Sequence, residues 1–419
     1  MRPGSPVVFV FIISLLVSAI FGMSAVSADE PAKILAMAKG GEEGRIGVIR
    51  GWLLSEPSFT GTPIAARDFG GVSSEDVMRM IRIYFPRTYE DLTLYDFILL
   101  ASVDMSYFTD THQKWMYDAM TEAGLGGMNT RSVQSMSTAW SAPWMNSIVS
   151  DAFPNDVPAV VSSDIYQWGG GSFPTGPIEV NDDEGIAPVV RPFKEQIERV
   201  FPTYRGVLTI PRPGSTIYTW VKSSIKSLGS PLPGYIGHLF EWTYGNATTF
   251  TAMDMVMEPF WKGDENPYSM DIFVNVVWRA TGRVLPQDAL RVHALRTLFR
   301  HYNWEKSSFV AMVEFTENFG ANTRDIYSKL REIEARKADA DSDYLEGDFE
   351  ASYDGMGSVL EDLQELEAEA VKLKNSALAW VFLIEWLSVS ATLLACGVVL
   401  WNLMIRRRMY REVAVTRFD

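Results

Sequence analysis

Apolar residues along this chain fall into distinct textures, and each predicts a different element. Residues 7–21 and 377–404 are near-continuous apolar runs at the two ends. Between them, residues 94–102 (LYDFILLAS) form a short apolar stretch, the pattern of a strand buried on both faces of a parallel sheet. From residue 285 the spacing turns helical. Ile326, Leu330 and Ile333, then Ala340 and Tyr344, recur at helical steps, and the pattern resumes with Phe349, Tyr353, Met356, Leu360 and Leu363. Gly347 sits in the gap at 345–348. Two coiled-coil-like segments joined by a tight turn predict an antiparallel helical hairpin.

The remaining chain reads as alternating elements. Residues 45–51 (RIGVIRG) read as a first strand closed by glycine, and 78–85 is a second apolar run ending at Pro86. After the 94–102 strand come Asp104 and a helix over 109–122 capped at Thr109 or Asp110, then a break at Gly124, Gly126 and Gly127. Strand, acidic turn, helix and glycine turn together predict an α/β fold with a parallel sheet and covering helices. Residues 140–260 are rich in Pro, Gly and aromatics, with short strands expected at 178–180, 206–210 and 248–252. Pro286-Gln287-Asp288 opens a helix carrying Leu290, Leu295, Leu298 and Phe299, and Ser307 or Ser308 caps another that runs to Phe319-Gly320.

The two apolar ends set the expected compartment. Residues 1–28 have one early cation (Arg2), an apolar core and Ala25-Val26-Ser27-Ala28, the form of a signal peptide or of an uncleaved anchor. Residues 377–405 predict one transmembrane helix, of which 386–405 reaches about 30 Å, the hydrocarbon thickness. Trp386 and Trp401 stand near the ends of that stretch. Arg406, Arg407 and Arg408 open a basic tail (406–419), which the positive-inside rule places in the cytoplasm. The expectation is therefore a single-pass cell-membrane protein with its large domain extracytoplasmic. Glu385 then lies at the outer headgroup level, or contacts a partner helix.

Composition narrows the chemistry. A net charge of −15 argues against nucleic acid, whose phosphates require a basic surface. The single cysteine, Cys396, falls inside the predicted span, so the body has no disulfide, thiolate metal site or thiol nucleophile. The four histidines, His112, His238, His293 and His301, show no metal-ligand spacing. Gly169-Gly170-Gly171-Ser172 lacks the lysine of a phosphate-binding loop and reads as a turn. Asn181-Asp182-Asp183-Glu184-Gly185 gathers oxygen ligands without EF-hand spacing. Asn246-Ala247-Thr248 is a lone glycosylation sequon. No cofactor and no metal is expected.

Residues 94–108 (LYDFILLASVDMSYF), the helix after them and the segment 124–130 resemble the class I glutamine amidotransferase-like superfamily, in a membrane-anchored prokaryotic form. Residues 206–218 and 239–261, with a Tyr244-Gly245 turn, fit the same resemblance. It implies a flavodoxin-like parallel sheet over 42–285, followed by a helical region with the hairpin stalk over 286–376. That family's reaction needs a cysteine on a strained elbow beside a histidine. The body has no cysteine, so the resemblance implies the fold without the reaction and no catalytic residue. The ligand-bearing edge of such a sheet lies beyond the strands' carboxyl ends, which makes Asp104, Asn129 and Asp254 the candidate pocket rim. The leading expectation is a non-catalytic binding or scaffolding module for a protein partner or small ligand, held by the bilayer. The alternatives are a hydrolase or sugar-modifying enzyme using carboxylates such as Asp104 and Asp254, and an accessory subunit of a membrane transporter or cell-envelope complex contacting through Glu385.

Overall fold

The computed structural model describes residues 30–415 apart from 41–44, 69–70, 131–143, 145, 157–175, 203–209, 223–233, 255 and 257. The predicted signal segment 1–28, Gly169-Gly170-Gly171 and all of 206–210 except Ile210 lie outside the described residues. The chain is α/β, with a mixed central sheet and a long apolar C-terminal helix.

Eleven strands are described: β1 (Ala32–Ala38), β2 (Phe59–Thr60), β3 (Ile64–Ala65), β4 (Phe97–Ala101), β5 (Gly126–Thr130), β6 (Asn155–Asp156), β7 (Ile178–Val180), β8 (Ile210–Pro211), β9 (Thr216–Lys222), β10 (Tyr235–Tyr244) and β11 (Ala247–Ala252). The main sheet runs β2-β1-β4-β5-β11-β10-β9-β7, with β3 also on β1; β6 and β8 form a separate pair. From β2 and β3 through β11 the pairings are parallel. From β11 to β7 they are antiparallel. The parallel strands β1, β4 and β5 are almost wholly buried; β4 (FILLA) is apolar throughout, whereas β5 (GGMNT) buries the polar Asn129 and Thr130.

Helices cover both faces. Leu35 and Met37 of β1 and Ile98 and Leu100 of β4 join one core with Val77 and Ile81 of α2 (Ser74–Tyr84) and Met116, Ala119 and Met120 of α3 (Asp110–Thr121). On the opposite face, Phe97 meets Phe273 of α4 (Ser269–Ala280), which stacks on Trp52 of α1 (Arg45–Ser55). Thr109 caps α3, as its sequence predicts, and a Ser73–Asp76 capping box starts α2. The β10–β11 hairpin turns at Gly245, with φ of +60°; a Cβ there would lie 2.3 Å from the Thr121 carbonyl, so only glycine fits.

Three expectations are corrected here. Residues 45–51 are the first two turns of α1, not a strand. Ile46, Ile49, Trp52 and Leu53 are its buried positions, a helical spacing visible only when the window extends past Gly51. The first strand is instead Ala32–Ala38, so the α/β body starts ahead of residue 42. The apolar run 78–85, to which its spacing assigned no element, belongs to α2 and its C-cap, Phe85. Finally, Ser307 and Ser308 cap nothing, because α5 (Ala289–Glu317) is continuous. Its buried Leu295, Phe299, Tyr302, Phe309 and Val313 stay in helical phase through the serines.

The chain divides into two compact units, residues 1–297 with 341–349, and 298–340 with 350–419. The predicted hairpin forms from α6 (Arg324–Glu346) and α7 (Phe349–Val415), turning at Gly347 with φ of +86°. Its tip belongs to the first unit, where Tyr344 is buried against Arg296 and Trp278. In the second unit, Ser352 Oγ donates to the Ala340 carbonyl at 2.7 Å, Arg336 pairs with Asp362, and Lys329 meets Glu369 at 2.5 Å. These contacts hold α6 and α7 antiparallel. Beyond Ala377 the α7 surface is exposed and apolar, long enough to cross a membrane.

Candidate functional site

In an open α/β sheet, ligands enter where the strand order reverses, beyond the carboxyl ends of the strands. Here β1 is followed in sequence by β2 and β3 on one side, and the chain then crosses to β4 on the other. The reversal therefore lies between β1 and β4. Lys39 and Gly40 leave β1; Ser102, Val103 and Asp104 leave β4.

Backbone bonds stitch this edge together. Lys39 N donates to the Ala101 carbonyl at 3.1 Å, Ala66 N to Ala38 at 2.8 Å, Gly40 N to Arg67 at 3.0 Å and Asp104 N to Ala66 at 3.1 Å. At its centre Ser102 has φ of +59°, the one described non-glycine residue with a positive φ. That conformation costs roughly 1–3 kcal/mol and persists where the surroundings impose it. Here Ser102 N donates to the Thr130 carbonyl at 2.7 Å, and Ser102 Oγ points at the same oxygen at 3.4 Å.

The side chains around this edge are polar and charged. Lys39 and Arg67 are buried cations. Burial pulls the Arg67 guanidinium below its ordinary pKa, against the opposing charges of Asp104 and Asp68. Asp104 Oδ1 accepts from Ser106 N at 3.0 Å and Ser106 Oγ at 2.7 Å, so it caps the turn at Met105–Tyr107 as well as facing Arg67. Tyr107 donates its hydroxyl to Ser74 Oγ at 2.9 Å, and Ser74 donates to Asp68 Oδ2 at 3.2 Å. Burial raises the Tyr107 phenol, so this hydroxyl remains a donor at neutral pH. The edge gathers two cations (Lys39, Arg67), two carboxylates (Asp68, Asp104) and the hydroxyls of Ser74, Ser102, Ser106 and Tyr107, which bond to one another and to the backbone.

The three residues expected on a pocket rim do not share one set of contacts. Asp104 stands at the β1–β4 edge. Asn129 is fully buried, and its Nδ2 donates to Asn155 Oδ1 at 3.1 Å, which also accepts from Thr251 Oγ1 at 3.1 Å. This amide ties β5, β6 and β11 together. Asp254 is also fully buried, its Oδ2 3.4 Å from His238 Nε2. His238 Nδ1 lies 2.8 Å from Thr219 Oγ1, which accepts from Leu239 N at 3.0 Å. Glu385 lies on the exposed apolar part of α7.

The other histidines are engaged away from Ser102. His112 packs among Phe85, Phe108 and Trp115, and burial lowers its pKa. His293 meets Asp271 at 2.7 Å, and His301 meets Glu305 at 3.3 Å. In the 181–185 loop, Asn181 and Asp183 accept from the N–H groups of Asp183 and Gly185, and Asp182 pairs with Lys194. Asn246 donates its amide to the Glu122 carbonyl at 2.7 Å. Sequence reasoning missed Lys39, Arg67 and Ser102. Residues 32–41 (AKILAMAKGG) carried a signal for the first, an apolar run closing on Lys-Gly-Gly, whereas the backbone angle of Ser102 leaves no trace in composition.

No protein-family model and no curated protein matches this chain. Among solved structures it is similar to the cytoplasmic proteins STM3548 and STM1381 of Salmonella typhimurium, at 15% and 16% identity and TM-scores of 0.42 and 0.41. Both overlays cover 59% of this chain, and 98% and 99% of the other.

Proposed function

We propose that this protein is a membrane-anchored binding module whose α/β domain takes a small polar ligand in the β1–β4 crevice. The α7 apolar stretch is its anchor, the Arg406–Arg408 end is cytoplasmic and the body extracytoplasmic. The observation that carries the reading is Ser102, held at φ of +59° where the strand order reverses and flanked by Lys39, Arg67 and Asp104. The amidotransferase-like resemblance is retained as a reading of the parallel half of the sheet. A carboxylate-dependent hydrolytic role is disfavoured, because Asp104 stands at the β1–β4 edge on Ser106 whereas Asp254 is fully buried beside His238.

Ligand-observed NMR on the full chain in nanodiscs, with amino acids, organic acids and sugars as probes, tests the proposal. Binding that is lost in Arg67→Met and kept in Asp254→Asn supports it. Binding untouched by Arg67→Met, or turnover of an amide probe, would defeat it. A second reading is favoured by Glu385, a carboxylate exposed within an apolar helical surface: it contacts a polar group on another membrane helix. Equal partner recovery by wild type and Glu385→Leu in a detergent pull-down counts against that contact.

A further inference from the structure

The second unit carries an apolar feature that the anchor alone does not account for. Phe315 and Phe319, at the end of α5 and in the turn after it, are 47% and 36% exposed, and their rings touch at 4.8 Å. The helix register shows what lies near this pair.

Lys306 of α5 pairs with Glu334 of α6, and Lys329 of α6 with Glu369 of α7. Carried along these antiparallel helices at about 1.5 Å per residue, the register puts Phe319 roughly level with Ala377 and Phe315 about one turn earlier. Ala377 is the last buried apolar residue of α7; from Trp380 onward the large apolar side chains are exposed. The three-helix packing thus ends where the apolar stretch begins. Residues 377–405 reach about 43 Å, the thickness of a bilayer with both interfacial layers, so the level of Ala377 is the outer polar edge. Aromatic side chains favour that layer, because one part of the ring sits in apolar surroundings and the rest near headgroups.

We infer that the α5–α6 turn is a second, shallow membrane contact: Phe319 meets the outer polar edge of the bilayer about one turn above Trp380 of α7, and Phe315 stands one turn farther out. This inference rests on α7 being a membrane anchor. Two contacts on one bundle restrict its tilt, where a single helix leaves it free to pivot.

The test uses the full chain with Cys396→Ser, reconstituted in phosphatidylcholine nanodiscs. An environment-sensitive fluorophore is placed at Phe319→Cys, at Asn318→Cys (which keeps both phenylalanines), at Ser308→Cys farther up α5, and at Leu394→Cys within the span. Nitroxide lipids labelled at the headgroup or deep in the acyl chain are the quenchers. The expected result is an emission loss at 318 and 319 of about twofold or more from the headgroup nitroxide and none from the deep label, as a contact at the polar edge requires. Position 308 should stay unquenched, and position 394 should respond to the deep label. If 318 and 319 behave like 308 while 394 responds to the deep label, the anchor stands and the second contact is overturned. If 394 does not respond either, the anchor reading falls, and this inference with it.

Discussion

Replacing Arg296 by methionine should destabilise the first unit more than almost any other single change. Its guanidinium is 1% exposed and joins three elements. Arg296 Nε lies 3.0 Å from Glu56 Oε2 and donates to the Tyr344 hydroxyl at 2.8 Å; Nη1 donates to Asp271 Oδ1 at 2.9 Å. The cation also stands 5.2 Å from the Trp278 ring. Glu56 is further held by Ser58, whose Oγ donates at 2.6 Å and accepts from Trp278 Nε1 at 3.0 Å. Removing the cation leaves two carboxylates in a site where water does not reach them. Breaking a buried pair in this way costs about 3–5 kcal/mol. Tyr344→Phe removes only one bond to a charged donor, about 1.5–3 kcal/mol. The triple variant Arg296→Met, Glu56→Gln, Asp271→Asn should recover a large part of the loss, because the stranded charges are gone. Urea unfolding followed by tryptophan emission measures all three. A loss below about 1 kcal/mol for Arg296→Met would refute the argument, since the desolvation of its partners would then be unimportant.

Other outcomes follow from the same geometry. Burial alone would raise the Asp271 carboxyl, but His293 and Arg296 outweigh it and hold the pKa below the ordinary value. A carboxylate depressed in the folded state contributes stability above its unfolded pKa of about 3.9 and loses it as pH falls through the folded value. The stability gap between wild type and Asp271→Asn should therefore be full near neutrality and close in acid; a gap independent of pH would contradict the pairing. Ser102→Val should destabilise by roughly 1–3 kcal/mol, because a β-branched side chain tolerates positive φ poorly, whereas Ser102→Gly should be near neutral; thermal melts of the two variants decide. Gly245→Ala should cost more than about 1 kcal/mol, since its Cβ would lie 2.3 Å from the Thr121 carbonyl, and unchanged unfolding would remove that clash from the account.

Local chemistry was enough to read several parts of this protein from its sequence. The 97–101 strand, the Thr109 cap of α3, the Gly347 turn and the long apolar helix depend on neighbours within one or two turns of chain, and each is where its pattern puts it. Asp104 was legible as an acidic turn after a buried strand for the same reason. The helix at 45–51 was also legible, though only in a longer window: a seven-residue apolar run suits a strand as well as a helix until Trp52 and Leu53 add their phase. Only the tertiary structure made β1 the partner of β4 and β5 the partner of β11, pairings between segments far apart in sequence. Those long-range pairings bring Lys39, Arg67 and Ser102 to one edge, and they send Asn129 and Asp254 into separate buried networks. Periodicity reports which face of an element is apolar; it carries no information about which distant element will cover that face.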